Sequence, residues 1–130
     1  MLMRFHEIVD QAKSDWHVRC HVEALGTDGQ VTRQTYGIVG VPGLEAELKV
    51  LNYGEADPGR VVQTIEVWPE RFQGYGFAQA LYLAALRDGP LDERPQFQTA
   101  DAARCITSLL TKRKVQRQKT GRGSQLSIRT

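Results

Sequence analysis

The chain has 130 residues, of which 41% are hydrophobic and 25% are charged. This composition predicts one globular domain over residues 1–130 with a sizeable core. No apolar run approaches the roughly 20 residues of a membrane helix, and the N-terminus lacks the apolar block of a signal peptide, so we expect a cytoplasmic protein without membrane contact. The isolated Cys20 and Cys105 predict neither a disulfide framework nor a metal knuckle.

The net charge of +2 is unevenly distributed along the chain. Residues 1–111 hold ten Lys and Arg against fifteen Asp and Glu, a balance of −5, whereas residues 112–130 hold seven Lys and Arg and no acid, a balance of +7. Such a basic C-terminal segment is suited to phosphates, nucleic acid or an acidic protein. A solvated charged terminus is an equally weighted interpretation.

The first half of the chain predicts one helix followed by strands. Apolar residues at helical spacing indicate a short amphipathic helix from Phe5 to Trp16. The period then changes to two, which predicts a half-buried strand over 16–24. The Asp-Gly pair within 26–30 predicts a hairpin turn, and a second strand follows over 31–39.

A break at 40–43 precedes an ambiguous segment, 44–51, whose apolar spacing fits a helix or a strand. Residues 52–59 have a loop composition. The predicted elements that follow are a strand over 61–67, a helix over 77–87 stopped by Gly89-Pro90, a loop over 88–95, a short strand over 96–99, a helix over 101–112 and a weak hairpin bending at 121–123.

This order of elements predicts an α+β fold, an α/β sandwich in which helices flank a mixed sheet. The strand at 61–67, the helix at 77–87 and the strand at 96–99 have the size of a βαβ crossover, which joins parallel strands.

The turn between the strand at 61–67 and the helix at 77–87 contains Gln73-Gly74-Tyr75-Gly76-Phe77-Ala78. A helix N-terminus has unpaired N–H donors and a partial positive charge, and glycines allow close backbone approach, so this turn is suited to a phosphate. No Lys-Ser/Thr pair of a P-loop follows, and Gln79 stands at the third position of a dinucleotide-binding fingerprint. The pattern [Q/R]-x-x-G-x-[G/A] is completely filled, by Gln73, Gly76 and Ala78.

That pattern, after an Ile-x-Val strand and before an amphipathic helix, resembles the pyrophosphate-binding signature of the GNAT superfamily of acetyl-CoA-dependent N-acetyltransferases. The resemblance covers residues 61–86 well and 96–112 more loosely. It implies a GNAT-like, mostly antiparallel mixed sheet and an acetyl group transferred from acetyl-CoA to an amine. The sequence departs from the family pattern in two ways: the turn is one residue longer than usual, and the region before the first strand is shorter. Because that region helps to form the acceptor site in family members, the resemblance implies no acceptor-site residues here.

By this resemblance, the backbone of the turn holds the pyrophosphate of acetyl-CoA, and the end of the preceding strand pairs with its pantetheine arm. The cofactor-binding residues implied are Val67, Trp68, Gln73, Gly74, Tyr75, Gly76, Phe77 and Ala78.

Two side chains are candidates for the acid–base chemistry. Glu66, on the strand face opposite Ile65 and Val67, is the first candidate for the base that takes the amine proton, and Glu70 is the second. Family members often place a general-acid Tyr on the second helix. Here Leu110 falls near that position and Ser108 is the nearest hydroxyl.

The sequence predicts no metal site, because His17 and His21 lie roughly 13 Å apart on a strand. The predicted partners are acetyl-CoA and an amine acceptor, either a small molecule or a protein. An alternative function is a non-catalytic module that binds nucleic acid, the less favoured partner, or an acidic protein through residues 112–130. Exposed sheet edges in so short a fold also favour a homodimer.

Overall fold

The structure, a computed structural model, describes residues 16–26, 30–54, 59–94, 99–121 and 123–129. The helix predicted from Phe5 lies outside these residues up to Trp16, and so does most of the strand predicted at 96–99.

The first four strands form an antiparallel meander. They are β1 (His17–Leu25), β2 (Val31–Val39), β3 (Glu45–Asn52) and β4 (Arg60–Trp68). The predicted hairpin is confirmed by the antiparallel pairing of β1 with β2. The ambiguous segment is strand β3, because Ala46, Leu48 and Val50 are buried while alternate positions carry charged side chains.

The second half of the described chain alternates helices with strands. Its elements are a 3₁₀ turn (Glu70–Phe72), α1 (Phe77–Arg87), β5 (Leu91–Glu93), α2 (Ala100–Thr111), β6 (Val115–Thr120) and β7 (Gly123–Ile128). The described strands form one seven-stranded sheet in the order β1-β2-β3-β4-β5-β7-β6. Of the described strand pairs, only β4 with β5 is parallel, so a βαβ crossover is present, and the α+β class is confirmed. The crossover ends at β5 (Leu91–Glu93), whereas the sequence predicted its second strand at 96–99, mostly outside the described residues.

The prediction of a loop over 88–95 is wrong, because β5 lies within it. Leu91 is buried, and the two acidic residues after it are hydrogen-bonded across the sheet. Asp92 accepts from Gln125, and Glu93 accepts from Arg117. A strand of three residues with one apolar side chain carries no periodic signal, so its existence depends on pairing with β4 and β7.

One core cluster joins the sheet to both helices. Its fully buried members include Leu48 and Val50 of β3, Leu81 of α1, Leu109 of α2 and Leu126 of β7. The pairing of β3 with β4 contains a register shift, because Lys49 pairs with Thr64 and Val50 pairs with Val62. Gln63 is therefore the extra residue of a β-bulge. Val62 and Ile65 therefore face the same side although they are three residues apart.

The half-buried strand predicted over 16–24 is present as β1, but most of its apolar side is exposed. Val18 is partly buried against the core, but Cys20 and Ala24 are exposed and 57% of Val22 is exposed. The strand lies at the edge of the sheet, and a groove between β1 and α1 leaves this face open. None of the described helices is long and apolar enough to cross a membrane.

Candidate functional site

Strands β4 and β5 separate on the side of the sheet where β4 ends. Within the described residues they are in register at one pair, Val61 with Asp92, while β4 continues to Trp68. Every second residue of β4 directs its N–H and C=O groups toward β3, and the residues between them direct theirs to the opposite side. The C-terminal part of β4 therefore has backbone groups directed toward a space that β5 does not fill.

That space opens into a cavity of about 560 Å³. The cavity lies between β4, the glycine-containing turn, the start of α1 and one side of α2. This volume falls within the range of small-molecule sites. Its lining comprises Ile65, Glu66, Val67, Phe72, Gln73, Gly74, Gly76, Phe77, Ala78, Gln79, Asp101, Arg104, Cys105, Ser108 and Lys112.

Two buried aromatic rings hold the ends of the turn. Phe72 and Phe77 are 1% and 2% exposed, and their ring centroids lie 6.2 Å apart in an edge-on arrangement. Trp16 packs edge-on against Phe77 with a centroid distance of 5.6 Å. The backbone between the two phenylalanines is therefore fixed by a small apolar cluster that also includes Val41.

The two glycines of the turn have left-handed backbone conformations. Gly74 has φ +87° and Gly76 has φ +85°, values that side-chain-bearing residues rarely adopt. A Cβ atom built on either glycine would meet no other atom within 4 Å. The glycines are thus required by backbone conformation, and the space beside them is open to a ligand.

The two helices begin in different ways. Thr99 caps α2 by accepting a hydrogen bond from the Ala102 N–H, and Asp101 adds an acid to the first turn. The N-cap of α1 is Gly76, which has no side chain to cap the helix, and its first turn contains no acid. In the described part of the chain, the N–H groups of Gly76 and Ala78 donate no backbone hydrogen bond. The start of α1 therefore leaves its donors and partial positive charge directed to the cavity.

Three side chains in the opposite wall of the cavity form a hydrogen-bond network. The Gln79 side-chain amide donates to the Ser108 hydroxyl at 2.9 Å, and the Lys112 ammonium donates to the Gln79 amide oxygen at 3.2 Å. This network orients the side chains of α1 and α2 that face each other. Because Ser108 accepts from Gln79, its own O–H remains a donor.

Charged and sulfur-containing side chains of α2 complete the wall. Arg104 and Lys112 are its basic residues, and Arg104 is paired with the exposed Asp101. Burial raises the pKa of the Cys105 thiol to about 11, although Lys112 acts in the opposite direction. The thiol is therefore protonated at neutral pH and is a poor nucleophile.

Eight of the ten predicted site residues line this one cavity. They are Glu66, Val67, Gln73, Gly74, Gly76, Phe77, Ala78 and Ser108. Trp68 and Tyr75 do not line it: 54% of Trp68 is exposed, and Tyr75 packs on the side of Phe72 and Phe77. The N–H of Gln73 already donates to the Glu70 carbonyl at 2.9 Å, so the donors of the turn begin after it.

The structure places Glu66 at the cavity and leaves Glu70 outside its lining. Glu66 is exposed and lies opposite Glu47 of β3, on the sheet face away from the core. Val67 lies opposite the buried Ala46, so the two neighbours face opposite sides as predicted. The carboxylate therefore stands at the edge of the cavity with access to solvent.

Sequence reasoning missed several cavity residues, among them Phe72, Gln79, Arg104, Cys105 and Lys112. In the sequence, Gln79 stands out only as a mismatch to a dinucleotide-binding pattern, and Lys112 only as part of the basic C-terminal segment. A helical-wheel comparison identifies Lys112 as one turn after Ser108, on the same side of α2. No local sequence pattern indicates which side chains of α1 and α2 contact each other.

Among the described residues, no group of three or more His, Cys, Asp and Glu side chains is placed to hold a metal ion. His17 and His21 lie four positions apart on β1 and are both exposed. Comparison of the chain with protein-family models, characterised proteins and solved structures found no match.

Proposed function

We propose that the protein is a GNAT-type acyltransferase that moves an acetyl group from acetyl-CoA to an amine. The observation that carries the proposal is the uncapped start of α1, with its two positive-φ glycines, at the mouth of a cavity beside the free side of β4. This combination suits a ligand that has a phosphate at one end and an extended amide-containing arm.

The residues of the cavity fit the parts of acetyl-CoA. The N–H groups from Gly74 to Ala78 would hold the pyrophosphate, because the open space at both glycines admits close approach. The free side of β4 near Val67 would pair with the amides of the pantetheine arm. Arg104 and Lys112 supply cationic groups for a further phosphate.

In the proposed reaction, an amide bond forms between the acceptor nitrogen and the acetyl carbon while the carbon–sulfur bond breaks. Glu66 takes the proton that the attacking amine loses. The Ser108 hydroxyl, which accepts from Gln79, donates a hydrogen bond to the departing sulfur, and water supplies the proton that yields the free thiol. A backbone N–H of β4 polarises the thioester carbonyl.

Calorimetric titration with acetyl-CoA tests the phosphate site directly. We expect Gly76→Glu to weaken binding by about 1.4 kcal/mol or more, a tenfold change, because it places a carboxylate where the phosphate would lie. Gly76→Asn is the matched control, since asparagine tolerates positive φ and adds no charge. Absence of binding to the unmodified protein, or equal binding by the two variants, would overturn the proposal.

Glu66→Gln separates binding from chemistry. We expect kcat/KM for an amine acceptor to fall about 10²-fold or more, while acetyl-CoA binds with unchanged affinity, because the amide cannot accept the proton. Glu70→Gln is the control, since Glu70 does not line the cavity. Similar activity in both variants would remove Glu66 from the mechanism.

The second candidate function is a binding module that uses residues 112–130. Its support is the exposure of Lys112, Arg113, Lys114 and Lys119 around β6. Such a module would bind a nucleic acid or an acidic protein with an affinity that falls steeply as salt increases. Its binding would be insensitive to Gly76→Glu, which distinguishes it from the acyltransferase.

A further inference from the structure

Among the described strands, the two at the ends of the sheet differ in chemistry. Strand β1 lies at one end of the strand order and β6 at the other. An edge strand presents unpaired backbone N–H and C=O groups that pair with another chain unless side chains prevent it. The side chains of the two edges therefore indicate which one is suited to association.

Strand β6 has the side chains of a protected edge. Five of its six residues are exposed, and Arg117 and Lys119 are two positions apart on the same side. In an antiparallel pair of two β6 strands centred on Gln118, Arg117 of one copy would lie opposite Lys119 of the other. Like charges directly opposite each other are unfavourable, so this edge opposes self-association.

Strand β1 lacks such protection. It is nine residues long, and its core-facing side exposes Cys20, Ala24 and 57% of Val22. This apolar side borders the groove of about 530 Å³ between β1 and α1, which Val18, Leu83 and Ala84 help to line. A long edge strand with an exposed apolar side is a template for pairing.

We propose that β1 pairs antiparallel with β1 of a second copy of this chain, around a two-fold axis that passes through His21. The two sheets would then form one continuous sheet. In this register Arg19 of each copy lies opposite Glu23 of the other, and Cys20 lies opposite Val22. The charged pairs fall on the outer side and the apolar pairs on the helix side.

Charge favours this register over the two that are centred two residues away. A shift that centres the pair on Arg19 places Arg19 opposite itself, and a shift to Glu23 places two carboxylates together. Centring the pair on His21 avoids both contacts and pairs all nine residues of the strand. Glu23 already binds Arg33 of β2 at 2.6 Å, so Arg19 of the second copy would add a further cation to the same carboxylate.

The proposed seam leaves the cavity accessible. Strand β1 is three strands from β4, and the cavity lies on the far side of β4 toward α2. Association through β1 is therefore independent of the proposed acyltransferase activity. Either proposal can fail while the other holds.

Disulfide crosslinking tests the register. In a Cys20→Ser background, His21→Cys would place two cysteines opposite each other at the axis, and we expect a disulfide-linked dimer on mild oxidation. Arg19→Cys in the same background is the control, because its two copies would lie four positions apart, roughly 13 Å along the strand, too far for a disulfide. Equal crosslinking of both variants would overturn the register.

Sedimentation velocity of the full chain tests the association itself. We expect a dimer, and we expect Val22→Lys to shift it to monomer at the same protein concentration. Because 57% of Val22 is exposed, this variant keeps its fold, which circular dichroism checks. Gln118→Lys on β6 is the matched control and stays dimeric. A monomeric unmodified protein, or a dimeric Val22→Lys, would overturn the proposal.

Discussion

Arg60, the first residue of β4, ties the meander to the end of α1. Its guanidinium donates to the carbonyl groups of Ala85 and Gly89 at 2.8 and 2.7 Å, and to the side chains of Gln34 and Tyr36. The Tyr36 hydroxyl in turn donates to Asp88 at 2.6 Å. Burial, followed by the hydrogen bond to Asp88, raises the pKa of Tyr36 above its ordinary value.

Replacing Arg60 by Met should destabilise the protein by about 3 kcal/mol, because several part-buried acceptors lose their donor. Lys119→Met, at an exposed position of β6, is the control and should cost less than about 0.5 kcal/mol. Urea unfolding followed by circular dichroism measures both. A loss below 1 kcal/mol for Arg60→Met would mean that water replaces the guanidinium.

At the scale of elements, one carboxylate attaches the C-terminal hairpin to β5. Glu93 accepts from Arg117 of β6 at 2.6 and 2.8 Å and from Ser124 of β7 at 2.7 Å. Burial acts to raise the pKa of Glu93, but the hydrogen bonds from Arg117 and Ser124 outweigh it, so the pKa lies below its usual range. The ion pair also raises the pKa of Arg117.

This shift makes the hairpin attachment dependent on pH. Because the pKa of Glu93 is lower in the folded state, its carboxylate stabilises the fold at pH values above the unfolded-state pKa of about 4.3. This stabilisation is lost as pH falls through the folded-state pKa. We expect Glu93→Gln to cost about 1 kcal/mol at pH 7 and less at pH 3. Equal costs at both pH values, by urea unfolding, would contradict the ion-pair interpretation.

At the scale of the whole molecule, both halves of the chain share one core. Leu48 and Val50 come from the meander, whereas Val115 and Leu126 come from the C-terminal hairpin, and all are at most 2% exposed. The basic hairpin is therefore an integral part of the fold. The residues of β6 after Val115 are exposed, while Val115 and Leu126 are buried in the core.

Shared burial predicts a single cooperative unfolding transition. Leu126→Ala should lower the free energy of unfolding by about 2–5 kcal/mol without splitting the transition, because its cavity opens in the common core. Differential scanning calorimetry measures this through the ratio of calorimetric to van't Hoff enthalpy, which should be near one. A separate low-temperature transition in the variant would indicate that the hairpin unfolds alone.

The sequence by itself determined the strand, the glycine turn and the helix between residues 60 and 87. Each has a local cause: β-branched residues in β4, positive φ at Gly74 and Gly76, and the Gly89-Pro90 stop after α1. The same local patterns identified β2, α2 and the terminal hairpin. Eight predicted site residues consequently lie around one cavity.

Only the tertiary structure decided the features that depend on distant partners. Strand β5 exists because β7 and β4 flank it, the exposed side of β1 reflects its edge position, and the bulge at Gln63 is visible only in the pairing of β3 with β4. The wall of the cavity joins Gln79 to Ser108 and Lys112, which are 29 and 33 residues further along the chain. Local propensity extends over a few residues, so it cannot specify which side chains of α1 and α2 will meet.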